Sequence, residues 1–161
     1  MSFCTKKVYA LVLAGLVFLL VSSVLSWGAE GEPIGSITAI EGKVGLGHKG
    51  EKALCPAMLG DSVYLKDHIQ TEKDSRVQIL FQDESLLNLT ENTTIQITEY
   101  IYSPKENRRL VSIQLLTGRI RGVVGRYFGG PGSRYIISTP TDTMAVGDGC
   151  FIVDAAEGRI Q

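Results

Sequence analysis

Four stretches of the chain carry residue types that could do chemistry. Gly45-Leu46-Gly47-His48-Lys49-Gly50 spaces its glycines as a dinucleotide-binding loop does, and Asp83-Glu84-Ser85 sets two carboxylates side by side. Gly132-Ser133 could present a hydroxyl nucleophile, and Gly147-Asp148-Gly149-Cys150 puts a thiol behind a glycine-flanked aspartate. Each chemistry needs more than these letters. A dinucleotide loop must open a helix whose N-terminus meets the pyrophosphate; here Glu51-Lys52-Ala53-Leu54-Cys55-Pro56 follows, with a proline and no helical period. A serine nucleophile wants a sharp elbow, but Arg134-Tyr135 after Ser133 leads into a strand pattern. A cysteine nucleophile needs an oriented histidine, and catalytic zinc needs clustered ligands with an open position. The two histidines, His48 and His68, have no second histidine or cysteine at ligand spacing, and both read as surface residues. Asp83-Glu84 reads as a solvated turn. No catalytic, cofactor-binding or metal-ligating residue is therefore assigned.

The elements that would have to position such groups are strands. Arg76-Val77-Gln78-Ile79-Leu80-Phe81, Leu87-Asn88-Leu89-Thr90, Thr94-Ile95-Gln96-Ile97-Thr98 and Val111-Ser112-Ile113-Gln114-Leu115 alternate apolar and polar side chains. Turn formers recur between them, as in Gln82-Asp83-Glu84-Ser85 and Thr90-Glu91-Asn92, and glycines 42, 45, 47, 50, 60 and 118 mark turns or bulges. That pattern predicts an all-β fold of many short strands, in a two-layer sandwich or a solenoid-like wrap. Tyr102–Asn107 reads as an exposed hairpin loop and Gly129–Gly132 as a second break.

Ahead of the strands, Lys6 and Lys7 precede seventeen uncharged residues, Val8 to Val24, and then a small-residue exit through Ser26 and Gly28. This is the order of a secretory signal, and an uncleaved anchor helix is the competing reading, although the run is a little shorter than a span of about 20 apolar residues. Residues 1–28 are thus expected to be a signal peptide or membrane anchor, with one domain over 30–161. Either way that domain is expected to be exported, to the periplasm or the cell surface, and the seven residues before the apolar run leave no room for a cytoplasmic domain. The domain would touch membrane only if the N-terminal segment is uncleaved.

Cleavage would remove Cys4 and leave Cys55 and Cys150. In an oxidising compartment these could pair, stabilising the fold by roughly 4 kcal/mol in the chain-entropy model; the alternative is two separate buried thiols. Removal of Lys6 and Lys7 takes the net charge from −1 to −3. The charge is uneven: Glu30 to Glu99 holds twelve acids and six bases, Lys105 to Arg134 seven bases and one acid. Arg108, Arg109, Arg119, Arg121, Arg126 and Arg134 could form a basic face for an acidic partner, a polysaccharide or anionic headgroups. An exported protein of net negative charge is a poor match for nucleic acid.

Several segments in order carry a family resemblance. They are Gly42-Lys43-Val44, Gly60-Asp61-Ser62-Val63, Ile69-Gln70-Thr71, Ser75 to Phe81, Asp83-Glu84-Ser85, Leu86 to Leu89, Leu115 to Arg121, Ser138 to Thr141 and Phe151-Ile152-Val153. Together, over about residues 34 to 154, the chain resembles the FecR domain, the exported sensing domain of the regulator of iron(III)-dicitrate uptake. The resemblance implies a non-enzymatic, bacterial envelope module without a cofactor, one that binds a protein partner or senses a signal. The alternative is a glycan- or peptidoglycan-binding or adhesion module gripping its ligand through the basic region. Two departures stand out. Glu84 occupies the glycine of the usual Asp-Gly-Ser turn, and Val146-Gly147-Asp148-Gly149-Cys150-Phe151 replaces a Val-Arg-Gly-Thr-x-Phe segment.

Overall fold

The computed structural model describes residues 31–51, 53–125, 133–147, 149–155 and 159–160. The chain divides into two units, Met1–Gly31 and Glu32–Gln161, and the strands all belong to the second. Residues 1–28, which bear the signal or anchor reading, lie outside the described residues. No helix among the described residues is long and apolar enough to cross a membrane.

The expected all-β fold is found, as two sheets packed face to face. In chain order the strands are β1 (Gly35–Glu41), β2 (Val44–Gly47), β3 (Cys55–Pro56), β4 (Ser62–Val63), β5 (His68–Thr71), β6 (Arg76–Phe81), β7 (Leu86–Leu89), β8 (Thr94–Ser103), β9 (Arg108–Thr117), β10 (Arg119–Val124), β11 (Arg134–Ser138), β12 (Thr143–Val146), β13 (Gly149–Asp154) and β14 (Arg159–Ile160). The first sheet runs β14-β13-β10-β7-β6-β1-β4 and the second β12-β11-β9-β8-β5-β2-β3. Every adjacent pair is antiparallel except β11 with β9. Period-two alternation puts Ile37, Ile79, Leu87 and Ile120 on the inner face of the first sheet and Ile69, Ile97, Ile113 and Ile137 on that of the second, all at 0–1 % exposure. A one-residue register slip would turn every one of these chains outward, so the buried faces fix the pairing.

The chain changes sheet repeatedly, and the central corners obey a repeat. Within the first sheet the order β10-β7-β6-β1 is matched in the second by β2-β5-β8-β9. The corner from β1 to β2 corresponds to that from β9 to β10, and the corner from β5 to β6 to that from β7 to β8. At the first pair of corners, Gly42 (φ 74°) and Gly118 (φ 83°) take a left-handed conformation. A Cβ on either would collide with Ser75 or Thr93, respectively. At the second pair, Asp74 (φ 54°) and Asn92 (φ 52°) turn the chain just before a buried hydroxyl. The Lys43 amide donates to Ser75 Oγ at 2.9 Å, and the Arg119 amide to Thr93 Oγ1 at 3.1 Å. Each hydroxyl donates in turn to the carbonyl two residues back, Lys73 or Glu91, at 3.1 Å. Glu72 and Thr90 complete the pattern, donating their amides to the carbonyls of Lys43 and Arg119 at 3.1 Å.

Glycines 45 and 47 do not turn or bulge the chain, as the sequence suggested; both lie within β2, where the Leu54 side chain packs against them. The same placement answers the dinucleotide-loop spacing, since these glycines sit in a strand.

Removing the Thr93 hydroxyl would leave a part-buried amide without its partner, which costs about 1–3 kcal/mol. Thr93→Val is expected to lower unfolding free energy by about that amount, with Thr93→Ser retaining most of it, as read by urea denaturation. Equal stability of Thr93→Val and the unaltered protein would show that the corner bond contributes nothing.

Candidate functional site

The residues expected to form one basic face are divided among three places. Arg119 and Arg121 point outward from β10 in the first sheet, while Arg108 and Arg134 point outward from β9 and β11 in the second. Arg109 is inside, 4 % exposed. Arg126 lies outside the described residues. The basic region from Lys105 to Arg134 is therefore continuous in sequence only, because the β9-to-β10 corner carries the chain from one sheet to the other.

Arg109 is buried for a reason visible in the alternation: it shares parity with Val111, Ile113 and Leu115 on β9, so it faces the core with them. Its Nη1 lies 3.4 Å from Asp83 Oδ2, and the two side chains are 5 % and 0 % exposed. Asp83 is thus no solvated turn acid, whereas its neighbour Glu84 is exposed. The Asp83 carboxylate also accepts from Ser85 Oγ at 2.6 Å and from the Tyr100 hydroxyl at 3.4 Å, while its amide donates to the Tyr100 oxygen at 3.0 Å. The Tyr100 ring stacks on Phe81 with centroids 5.7 Å apart. Tyr135 closes the cluster from β11; its hydroxyl and Arg109 Nε have no hydrogen-bond partner among the described residues. Burial, and then the Asp83 charge, holds both the Tyr100 and Tyr135 phenols well above their ordinary pKa. The cluster ties the β6–β7 hairpin of one sheet to β8, β9 and β11 of the other. Apart from the Tyr135 hydroxyl and Arg109 Nε, its polar side chains are engaged with one another.

His48 is likewise committed. Its Nδ1 is 3.0 Å from Asp67 Oδ1, and the fully buried Asp67 carboxylate accepts the Tyr64 amide at 2.8 Å through its other oxygen. Cys55 and Cys150 are separate, exposed thiols, one at the margin of the second sheet and the other on the first. The expected pairing of Cys55 with Cys150 is not formed, and burial, the alternative, is not found either. The described residues contain no group of three or more His, Cys, Asp and Glu side chains arranged to hold a metal ion.

What the strands do assemble is the outer face of the first sheet. Register pairing aligns three rows across it. One row, Cys150-Val123-Leu86-Leu80, is apolar, with Leu80 38 % exposed. The next is Ile152-Arg121-Asn88-Gln78, in which Gln78 Nε2 donates to Asn88 Oδ1 at 2.9 Å. The third holds two ion pairs: Arg119 donates to Asp154 Oδ2 from Nε at 3.0 Å and Nη2 at 2.7 Å, and Arg76 lies 3.7 Å from Glu41. A groove lined by Ile40, Glu41, Arg76, Gln78, Asn88 and Arg121 runs between the second and third rows. On the inner side of the same sheet, Phe151 packs its ring over Gly122, where any side chain would collide with it. Phe151 and Val153 are buried, so the segment after Gly149 returns to the core. Gly149 itself (φ 117°) begins β13 just after the chain has crossed from β12 to the first sheet; Asp148 lies outside the described residues.

This face and fold define an all-β sandwich module with a surface graded from apolar to ionic. The family model described as FecR protein matches residues 67–161, more than half of the chain, and the chain belongs to the FecR family. Membership points to a regulatory or signal-sensing role in bacteria, in a family typically associated with the cell envelope. No curated protein and no solved structure matches the chain. The match begins at the buried Asp67 and leaves out β1 to β4, although the resemblance read from sequence began near residue 34.

Glu84 does take up the left-handed conformation that the family's glycine would suit, with φ 62°. A non-glycine residue there costs roughly 1–2 kcal/mol. Glu84→Gly is therefore expected to raise unfolding free energy by about 1 kcal/mol, measured by chemical denaturation; no gain would mean that the turn is relaxed with glutamate.

The buried phenols set an alkaline limit. Each is harder to ionise in the fold than in the unfolded chain, so its contribution is fully present below the unfolded tyrosine pKa of about 10 and declines as pH rises above it. The denaturation midpoint should hold steady from neutral pH up to that value and fall beyond it. Tyr135→Phe should make the fall shallower, and an identical fall in that variant would place the titrating group elsewhere.

Proposed function

We propose that this chain is an exported, non-enzymatic signal-sensing module that docks a partner protein of the bacterial envelope through the outer face of its first sheet. The observation that carries this reading is the three-row face itself. Leu80, Leu86, Val123 and Ile152 offer apolar area, Arg121 stands among them on β10, and ion pairs border the set. Apolar side chains with an arginine beside them and charged pairs along one side are residue types that protein interfaces use. The groups that could have done chemistry support the same reading, because His48 is held by Asp67, Asp83 by Arg109, and Cys150 sits in the apolar row. Export rests on the Lys6–Gly28 pattern and on the family's envelope association.

A second reading has its own observation. The Gln78 and Asn88 amides beside Arg121 and Arg76 line a groove that could accept the hydroxyls of an envelope glycan. Leu80→Ser with Arg121→Ser, both outward-facing, should reduce retention of a partner protein from envelope extracts at least tenfold while leaving the thermal melting curve in place. Retention on purified peptidoglycan with no protein partner would favour the glycan, and undiminished protein capture by the double variant would remove this face from the account.

A further inference from the structure

A buried carboxylate must be met by hydrogen-bond donors or by a counter-charge. Asp67 sits in the turn between β4 and β5, 0 % exposed. The turn itself serves one of its oxygens: Oδ2 accepts the Tyr64 amide at 2.8 Å, while the Asp67 amide donates to the Tyr64 carbonyl at 3.2 Å. The Asp67 carbonyl accepts the Ile97 amide of β8 at 3.1 Å. The other carboxylate oxygen, Oδ1, is met from a distant stretch of chain, by His48 Nδ1 at 3.0 Å. His48 opens the connection from β2 to β3 and closes a turn there, donating its amide to Glu51 Oε2 at 3.3 Å and accepting the Glu51 amide at 3.0 Å. The same connection carries Leu54, whose side chain covers Gly45 and Gly47 of β2. An imidazole therefore joins the β2–β3 connection to a turn that is itself fixed on β8.

We propose that His48 and Asp67 form a proton-operated clasp, which grips the β2–β3 connection when the imidazole is charged and loosens when it is neutral. Histidine is the side chain whose charge ordinarily changes between about pH 5 and 8. A charge-assisted hydrogen bond is roughly twice as strong as a neutral one, and the enclosed carboxylate cannot turn to water when the charge opposite it is lost. A neutral ring still donates from Nδ1, so the clasp weakens rather than releasing outright. The ring is 38 % exposed, and solvent screens part of the attraction. The other titratable groups on the surrounding elements are few. The turn of His48 adds Lys49 and Glu51, both exposed. The β4–β5 turn adds Tyr64, edge-on to the imidazole with centroids 5.4 Å apart, and Lys66, whose ammonium donates to the Thr98 carbonyl of β8. β5 adds His68, paired in register with Gly47. Asp67 supplies the counter-charge at bonding distance, so His48 takes up its proton more readily in the fold than in the unfolded chain. Its contribution to stability is then fully present below the unfolded histidine value of about 6.5 and is lost as pH rises through the higher folded value. Use of the clasp to sense external pH rests on the exported, signal-sensing reading above; the clasp itself does not.

A nuclear magnetic resonance titration of the full chain, with His48→Gln used to assign the imidazole signal, is expected to place His48 about one pH unit above an unfolded-chain histidine. One such unit is a tenfold change in the folding equilibrium. Between about pH 5.5 and 8.5, the folded-to-unfolded ratio of the unaltered protein should therefore fall about tenfold further than that of His48→Gln, as read by urea denaturation. Exchange of the Glu51 amide, corrected for its intrinsic pH dependence, should quicken across the same interval in the unaltered protein and not in the variant. A His48 that titrates at or below the unfolded value overturns the proposal. So does a pH dependence of stability that is the same in both proteins, or a Glu51 exchange rate that ignores the titration. None of these readouts needs an envelope partner, so they fail separately from the docking function proposed above.

Discussion

Two buried hydroxyls hold this sandwich together at its corners. The corners from β1 to β2 and from β9 to β10 each leave a part-buried backbone amide, and such a group must find a partner. Ser75 accepts the amide of Lys43 and Thr93 that of Arg119, and each passes its own proton to a carbonyl of its own turn. The turns are also joined to one another. Asn92 donates to the Glu72 carbonyl at 3.2 Å, and the Asp74 amide donates to the Glu91 carboxylate at 2.9 Å. Four chain corners are thereby fixed as one unit, and the strands leaving it are committed to their sheets. The Asp83–Arg109 cluster makes a second link between the layers through the β6–β7 hairpin. A buried pair of this kind is weak evidence for added stability, since desolvation offsets much of the attraction. Its clearer effect is to fix which residues of the two sheets face each other.

The strands were legible in the sequence because one face of each is buried, and period-two alternation reports that directly. Their assignment to sheets was not legible, since alternation is the same whichever sheet a strand joins. This is why seven bases between Lys105 and Arg134 read as one surface, when the corner at Gly118 sends Arg119 and Arg121 to the opposite layer from Arg108 and Arg134. The burial of Arg109 was available in principle: it falls two residues before Val111, on the apolar parity. Asp83 gave less warning, because an acidic pair in a turn is ordinarily solvated, and only the tertiary approach of β8 and β9 encloses it. Similarly, nothing local to Cys55 or Cys150 says that one lies at a sheet margin and the other on an outer face.

The repeat itself was written in the chain but too short to announce itself. Asp74-Ser75-Arg76-Val77-Gln78-Ile79 and Asn92-Thr93-Thr94-Ile95-Gln96-Ile97 align position for position. Each sets a left-handed residue, then a hydroxyl, then an alternating strand. Gly42-Lys43-Val44 and Gly118-Arg119-Ile120 form the matching pair. Most of these letters are common in any β protein. Only the hydrogen bonds show that the glycine corner of one pair and the hydroxyl of the other are made for each other across more than twenty residues.

The interleaving of these corners separates the unit of descent from the unit of folding. The family match starts at Asp67, yet β1 and β2, which lie outside it, are interior neighbours of β6 and β5. A fragment cut at the family boundary would expose the ladder side of β6 along its whole length and leave Ser75 without the Lys43 amide. The compact unit is the larger one that begins at Glu32. A boundary drawn from recurrence in sequence therefore cuts through the core, and the first strands, least recognisable by family, are among those the sandwich can least do without.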